Sequence, residues 1–246
     1  MKIIILAAGV GSRLGKVHPK TLTPLIDGKS ILDHQIDGLC HYVNMDDIYI
    51  IVGYKKKMII NSFPQLSYFY NENFKTTNTA KSLLIGLNAL NEHNILWLNG
   101  DVVFDHRIIK KIIEYPGACM AVNKSRVGEE EVKYRTNNQG FVIEVSKEVD
   151  APEGESVGIH KLSNREILML REYLSDCNNY DYFEKGLELA IQNGLKVAAV
   201  DISNFMCMEI DFVEDLNIVN EYLDQYVNEI YCNKYTSKRV GLKKKS

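Results

Sequence analysis

Three cations, Arg13, Lys16 and Lys20, follow the small residues Ala7, Ala8, Gly9 and Gly11 in KIIILAAGVGSRLGKVHPKTLTPL, Lys2 to Leu25, and no acid interrupts them. Residues with little or no side chain let the backbone approach a ligand closely and leave its amides free to point at an anion. A triphosphate suits a loop of amides backed by three positive charges. Two familiar phosphate loops do not fit. A G-x-G-x-x-G dinucleotide fingerprint fails at Leu14, where the third glycine belongs. The G-x-x-x-x-G-K-[ST] loop, tried on Gly15 and Lys16, fails at Val10 and Val17. A structural turn with solvated basic residues is the remaining reading.

Asp101 ends an apolar run, ILWLNGD, and the carboxyl ends of strands in a doubly wound sheet are where ligands bind. A carboxylate facing an anionic nucleotide is repelled unless a cation lies between them, and magnesium accepts one or two carboxylates together with phosphate oxygens. An exposed turn acid is the alternative for Asp101. Asp211, in M-E-I-D, precedes a long apolar-periodic segment and could serve only as a helix N-cap. Glu209 lies two residues earlier, on the same face if the chain is extended there. Asn78, Thr79 and Ser82 open another helical segment, where capping of free amides accounts for them.

The elements that must position these residues alternate. Ile3 to Leu6 reads as a buried parallel strand, as do Ile48 to Gly53, Leu66 to Asn71 and Ile95 to Asp101. Helical spacing covers Lys29 to Val43, Lys55 to Phe63, Thr79 to Asn91 and His106 to Tyr115. A strand follows from Gly117. The turn Asn137 to Gly140 between EVKYRT and FVIEVS predicts an antiparallel hairpin. Val157 to Leu162 alternates as a strand, Asn164 to Leu174 and Tyr182 to Asn193 are amphipathic helices, Lys196 to Ile202 is a strand, and Phe212 to Tyr231 is a long helix and a candidate interface between two copies. The expected fold is α/β, one doubly wound, Rossmann-like and mostly parallel sheet with a small antiparallel hairpin over the active site. It spans residues 1–233, and the basic tail 234–246 is expected to be disordered.

Composition excludes some partners. A net charge of -3 argues against a domain whose whole surface binds nucleic acid or membrane. The five cysteines are scattered with no C-x-x-C pair, which reads as reduced thiols in the cytoplasm and excludes a disulfide framework. The opening apolar run is too short for a signal peptide or a membrane span.

LAAGVGSRLGKVHPKTLTPL resembles the signature L-A-A-G-x-G-x-R followed by P-K of the nucleotidyltransferase superfamily that makes nucleotide-activated sugars and alcohols. The short segment LGKVHP between Arg13 and Lys20 is more similar to the branch of cytidylyltransferases acting on small non-sugar phosphates or phosphonates. That resemblance implies CTP as donor, Mg2+ as cofactor on Asp101 and Asp211, and Arg13 and Lys20 as catalytic residues. It implies a nucleotide site formed by Leu6, Ala7, Ala8, Gly9, Gly11, Ser12, Lys16 and Gly100, with Asn78, Thr79 and Ser82 beside the base. On the acceptor side it implies Lys133, Glu155 and Tyr182. Acceptors used by such enzymes include phosphocholine, 2-aminoethylphosphonate, inositol phosphate and phosphoglutamine, and their products decorate surface polysaccharides, including capsules, or lipids. The cations Arg126, Lys133 and Arg135 point to an acceptor that also carries a carboxylate, as phosphoglutamine does. A sugar-1-phosphate nucleotidyltransferase using UTP or dTTP is the second reading. A nucleotide-binding regulatory protein is the third, although Lys20 and both acids are present.

Overall fold

Strand β1 (Lys2–Ala7) is apolar on both faces because helices cover both faces of the sheet it centres. Successive side chains of a strand point to opposite sides. Ile4, Leu6 and Ala8 therefore enter one core with helices α3 (Thr79–Ala89), α5 (Asn164–Asp176) and α6 (Phe183–Gln192). Ile3, Ile5 and Ala7 enter the other with α1 (Ile31–Cys40), α2 (Lys56–Ser62) and α4 (Arg107–Glu114). The computed structural model describes residues 1–11, 14, 18–125, 127, 128 and 130–225. Ser12, Arg13, Lys16, Arg126, the end of the last expected helix and the basic tail lie outside these.

The remaining strands are β2 (Ile48–Val52), β3 (Ser67–Tyr70), β4 (Ile95–Asn99), β5 (Val102–Phe104), β6 (Cys119–Asn123), β7 (Lys133–Thr136), β8 (Val142–Ser146), β9 (Gly154–Leu162), β10 (Ala198–Asp201) and β11 (Cys207–Glu209). The main sheet runs β10-β6-β9-β4-β1-β2-β3, with the β7/β8 hairpin joined to β9 through β7. All neighbours along that path are parallel except β9, which is antiparallel to both β4 and β6. The hairpin forms where NNQG stands: Asn137 Oδ1 accepts from the amides of Gln139 and Phe141, and Gly140 takes the positive φ of 79° that closes the turn.

Strand β5 was not expected. Asp101 does not end β4; the strand stops at Asn99, the chain turns through Gly100 and Asp101, and β5 then pairs antiparallel with β11. Gly100 permits the turn, since a Cβ there would stand 2.6 Å from the carbonyl oxygen of Leu6. A third cluster, including Leu25, Ile31, Val103, Ile210 and Leu216, seats helix α7 (residues 213–225) against this small sheet. No helix among the described residues is long and apolar enough to cross a membrane.

Close packing of α3 on the sheet passes through Gly86, where a Cβ would lie 2.8 Å from Ile4 Cδ1 and 3.0 Å from Ile51 Cδ1. Helix propensity alone favours a larger residue there by about 1 kcal/mol. Gly86→Leu is nevertheless expected to lower the urea-unfolding free energy by about 1–3 kcal/mol, because overpacking outweighs propensity. A stabilised variant would show that the contact relaxes without cost.

Candidate active site

The carboxyl ends of β1 and β4 open into a cavity of about 470 Å³. Leu6, Ala7, Ala8, Gly9 and Gly11 form its floor. Gly11 has a φ of 60°, and a Cβ on it would come within 2.7 Å of Lys20 Cβ, so the loop lies directly against the lysine's stem. Lys20 Nζ donates to Asp101 Oδ2 at 2.6 Å and also to Asp211 Oδ1. Burial works to lower the pKa of this ammonium, but Asp101 and Asp211 overcome it and raise the value above the ordinary lysine range.

Asp211 does not cap α7. The amides of Asp211 and Phe212 both donate to Asp215 Oδ2, at 3.0 and 2.8 Å, so Asp215 performs the capping and the Asp211 carboxylate turns to Lys20. Gln35, fully buried on α1, braces the opposite acid: its Nε2 donates to the carbonyls of Asn99 and Val102, both at 2.8 Å, fixing the turn that presents Asp101. Glu209, on β11, is the third carboxylate. One oxygen from each of Asp101, Glu209 and Asp211 lies within 4.8 Å of the others. Repulsion from Asp101, then burial, raises the Glu209 pKa well above the ordinary range, with Lys20 acting in the other direction.

These groups fit a hard divalent cation. Three carboxylates converge, and Asp101 Oδ1 is buried without a hydrogen-bond partner.

The base-side candidates line the cavity, with their polar atoms engaged locally. Asn78 Oδ1 accepts from the Thr79 amide and its Nδ2 donates to the Tyr180 carbonyl. Thr79 Oγ1 accepts from the Phe183 amide, and Ser82 Oγ accepts from Asn71 Nδ2. Gly100 and Tyr182 also line the cavity.

Lys133 and Glu155 are not among the residues that line it. Lys133 Nζ donates to the Lys147 carbonyl and Glu155 Oε2 accepts from the Gly128 amide. Arg135 pairs with Glu144. The expectation of surplus cations around the acceptor thus loses Lys133 and Arg135.

Two charged residues that sequence reasoning missed line the cavity instead: Lys147, at the open end of the hairpin, and Glu184, in the first turn of α6. Lys147 Nζ sits 5.2 Å from the centre of the Tyr182 ring. Phe183 is held edge-on by Trp97 and His160, with ring centres 5.8 and 5.0 Å away, which makes the start of α6 a rigid wall.

Residues 3–166 match the MobA-like NTP transferase domain, and the chain belongs to that family of nucleotidyltransferases. It is similar to the bifunctional protein GlmU of Methanococcus maripaludis, 29% identical over 94% of this chain and 56% of the relative. The chain thus spans about half the length of that relative. It is also similar to CTP:phosphoglutamine cytidylyltransferase of Campylobacter jejuni subsp. jejuni, 26% identical over 89% of this chain and 98% of the relative. Among solved structures, the inositol-1-phosphate CTP transferase of T. maritima superposes with a TM-score of 0.74 at 20% identity, covering 89% of this chain and 93% of the other, and shares the fold.

Burial pushes the Glu184 carboxyl up to about 7, opposed by a hydrogen bond from its own amide and by Lys147. A raised folded-state pKa means the folded protein favours the neutral acid. This stability is fully present below the unfolded value of 4.5 and is lost as pH rises through about 7. Glu184→Gln removes the ionisation, so the variant is expected to be more stable than the parent by about 3 kcal/mol near pH 8, the difference fading below pH 5. Urea unfolding of both proteins across that range checks it, and a pH-independent difference would refute the assignment.

Proposed function

We propose that this chain is a cytidylyltransferase that transfers CMP from CTP to a small phosphorylated or phosphonate acceptor, with Mg2+ as cofactor and release of pyrophosphate. The observation that carries the transferase reading is Lys20 bonded to both Asp101 and Asp211 at the mouth of the glycine-rich loop. The short segment between Arg13 and Lys20, and the relative named for CTP and phosphoglutamine, support the choice of CTP.

In this reading the loop amides around Gly9 and Gly11 take the phosphates, with Arg13 and Lys16 on the β- and γ-phosphates. Lys20 exchanges a carboxylate for an oxygen of the α-phosphate. Asn78, Thr79 and Ser82 lie beside the base. An anionic oxygen of the acceptor attacks the α-phosphorus in line, the bond from that phosphorus to the bridging oxygen breaks, and pyrophosphate leaves with the electron pair. The nucleophile is already charged, so no general base is required. Catalysis comes from positioning and from placing positive charge where negative charge develops. Magnesium held by Asp101 and Asp211, with Glu209 alongside, would supply further neutralisation of the phosphates.

A sugar-1-phosphate nucleotidyltransferase using UTP or dTTP is the second reading, favoured by the similarity to the UTP--glucose-1-phosphate uridylyltransferase AglF of Haloferax volcanii, 24% identical over 92% of this chain and 97% of the relative. Pyrophosphate release with magnesium from CTP, UTP, dTTP, ATP and GTP, against a panel of phosphorylated acceptors, decides between them. Turnover with CTP and one small non-sugar phosphate is expected. Turnover only with UTP or dTTP and a sugar phosphate would replace this reading with the second.

With the productive pair, Lys20→Ala is expected to lower kcat by two to three powers of ten, about 3–4 kcal/mol of transition-state stabilisation. Unchanged kcat would remove Lys20 from the chemical step.

A further inference from the structure

Glu184 is a buried carboxylate on the wall of the catalytic cavity. It is 7% exposed and lines the same space as Lys20 and Asp101. Among the described residues no lysine, arginine or histidine lies within ion-pair distance of it. Lys147 is the one charge that weighs on its ionisation. An acid in the first turn of a helix gains from the helix dipole equally well on the solvent side. Burying a carboxylate without a paired cation costs several kcal/mol, so burial facing a ligand cavity needs another reason.

The surrounding wall has the chemistry of a cation site. Tyr182, 46% exposed, lines the same cavity, and its ring already takes one ammonium, Lys147 Nζ, at 5.2 Å, as aromatic faces do. Lys133 and Arg135, the cations that pointed to a carboxylate on the acceptor, are bonded to Lys147 O and Glu144.

We infer that Glu184 receives the cationic end, an ammonium or quaternary ammonium group, of a zwitterionic acceptor whose phosphate or phosphonate end lies toward Lys20 and the carboxylate cluster. This rests on the reading of the cavity as a nucleotidyltransferase site and names the substrate class that site takes. A sugar phosphate or a polyol phosphate would offer Glu184 hydroxyl donors but no opposite charge.

Calorimetric titration tests the assignment. Two probe pairs differ in the cation alone: 2-aminoethylphosphonate against propylphosphonate, and phosphocholine against 3,3-dimethylbutyl phosphate. Each is titrated into the full chain with magnesium, with and without a non-reacting CTP analogue. In at least one pair the cationic member is expected to bind about 10- to 100-fold more tightly, the range of a hydrogen bond to a charged group. In E184Q that ratio should fall to near one, and in E184D, with the carboxylate withdrawn by one methylene, to an intermediate value that also serves if E184Q does not fold. Equal binding within both pairs in the parent protein, or a ratio that E184Q and E184D leave unchanged, overturns the inference. Cationic preference without turnover of CTP would keep Glu184 and overturn the cytidylyltransferase reading. Turnover of CTP with no cationic preference would do the reverse.

Discussion

One ammonium among three carboxylates organises the catalytic end of this molecule. Lys20 is fixed by Asp101 and Asp211, and Glu209 completes a group in which, among the described residues, carboxylates outnumber the ammonium. The excess is expressed in Glu209, whose ionisation is resisted chiefly by Asp101. Each member comes from a different part of the chain and each needs its own support. Gly11 lets the loop lie on the Lys20 stem, and Gly100 lets the Asp101 turn pass under the Leu6 carbonyl. Gln35 braces that turn, and Asp215 takes over the cap of α7 so that Asp211 is turned to the site. Like charges held this close in a partly desolvated cluster favour a ligand that brings cations with it, which is how a nucleotide arrives with its counterions.

Residues whose role is written in contiguous sequence could be read without a structure. β1 is a run of β-branched residues because both its faces are buried, and the loop after it announces itself by lacking side chains. Asp101 was legible as an acid after an apolar strand, and the hairpin as a turn between alternating segments. β5 was not, since a three-residue strand carries no periodicity. Asp211 was ambiguous between ligand and cap. An acid three residues after Phe212 is the signal that separates the two, because that spacing allows Asp215 to cap in its place.

The acceptor side was the least legible. Lys133 and Lys147 flank the two ends of the same hairpin, and the register Lys133↔Ser146 brings them together. Only the three-dimensional course of the strands shows that Lys147 faces the cavity while Lys133 donates to its carbonyl. Glu184 looks like an ordinary first-turn acid, and its neighbour Phe183 is packed edge-on against the stacked rings of Trp97 and His160, which only the three-dimensional structure shows.

This difference in legibility follows from how the two halves are built. The donor side comes largely from one continuous strand and loop at the carboxyl end of a parallel sheet, where such ligands bind. The acceptor wall depends on a reversal. Because β9 runs against β4, with Leu98 opposite Ile159, its preceding residues extend past the carboxyl end of β4 and bring Ser156 and Gly158 to the cavity. Gly158, with a φ of 71°, would clash with Asn99 Nδ2 at 2.6 Å if it carried a Cβ, so β9 passes tightly by the Asn99 side chain at the end of β4. The hairpin and the start of α6 then close the wall around that reversed strand. Lys147, Tyr182 and Glu184 line the cavity from this wall, on elements other than the loop, Lys20 and the carboxylates. On the proposed reading, the fold thus separates the groups that would activate a nucleotide from those that would choose its recipient.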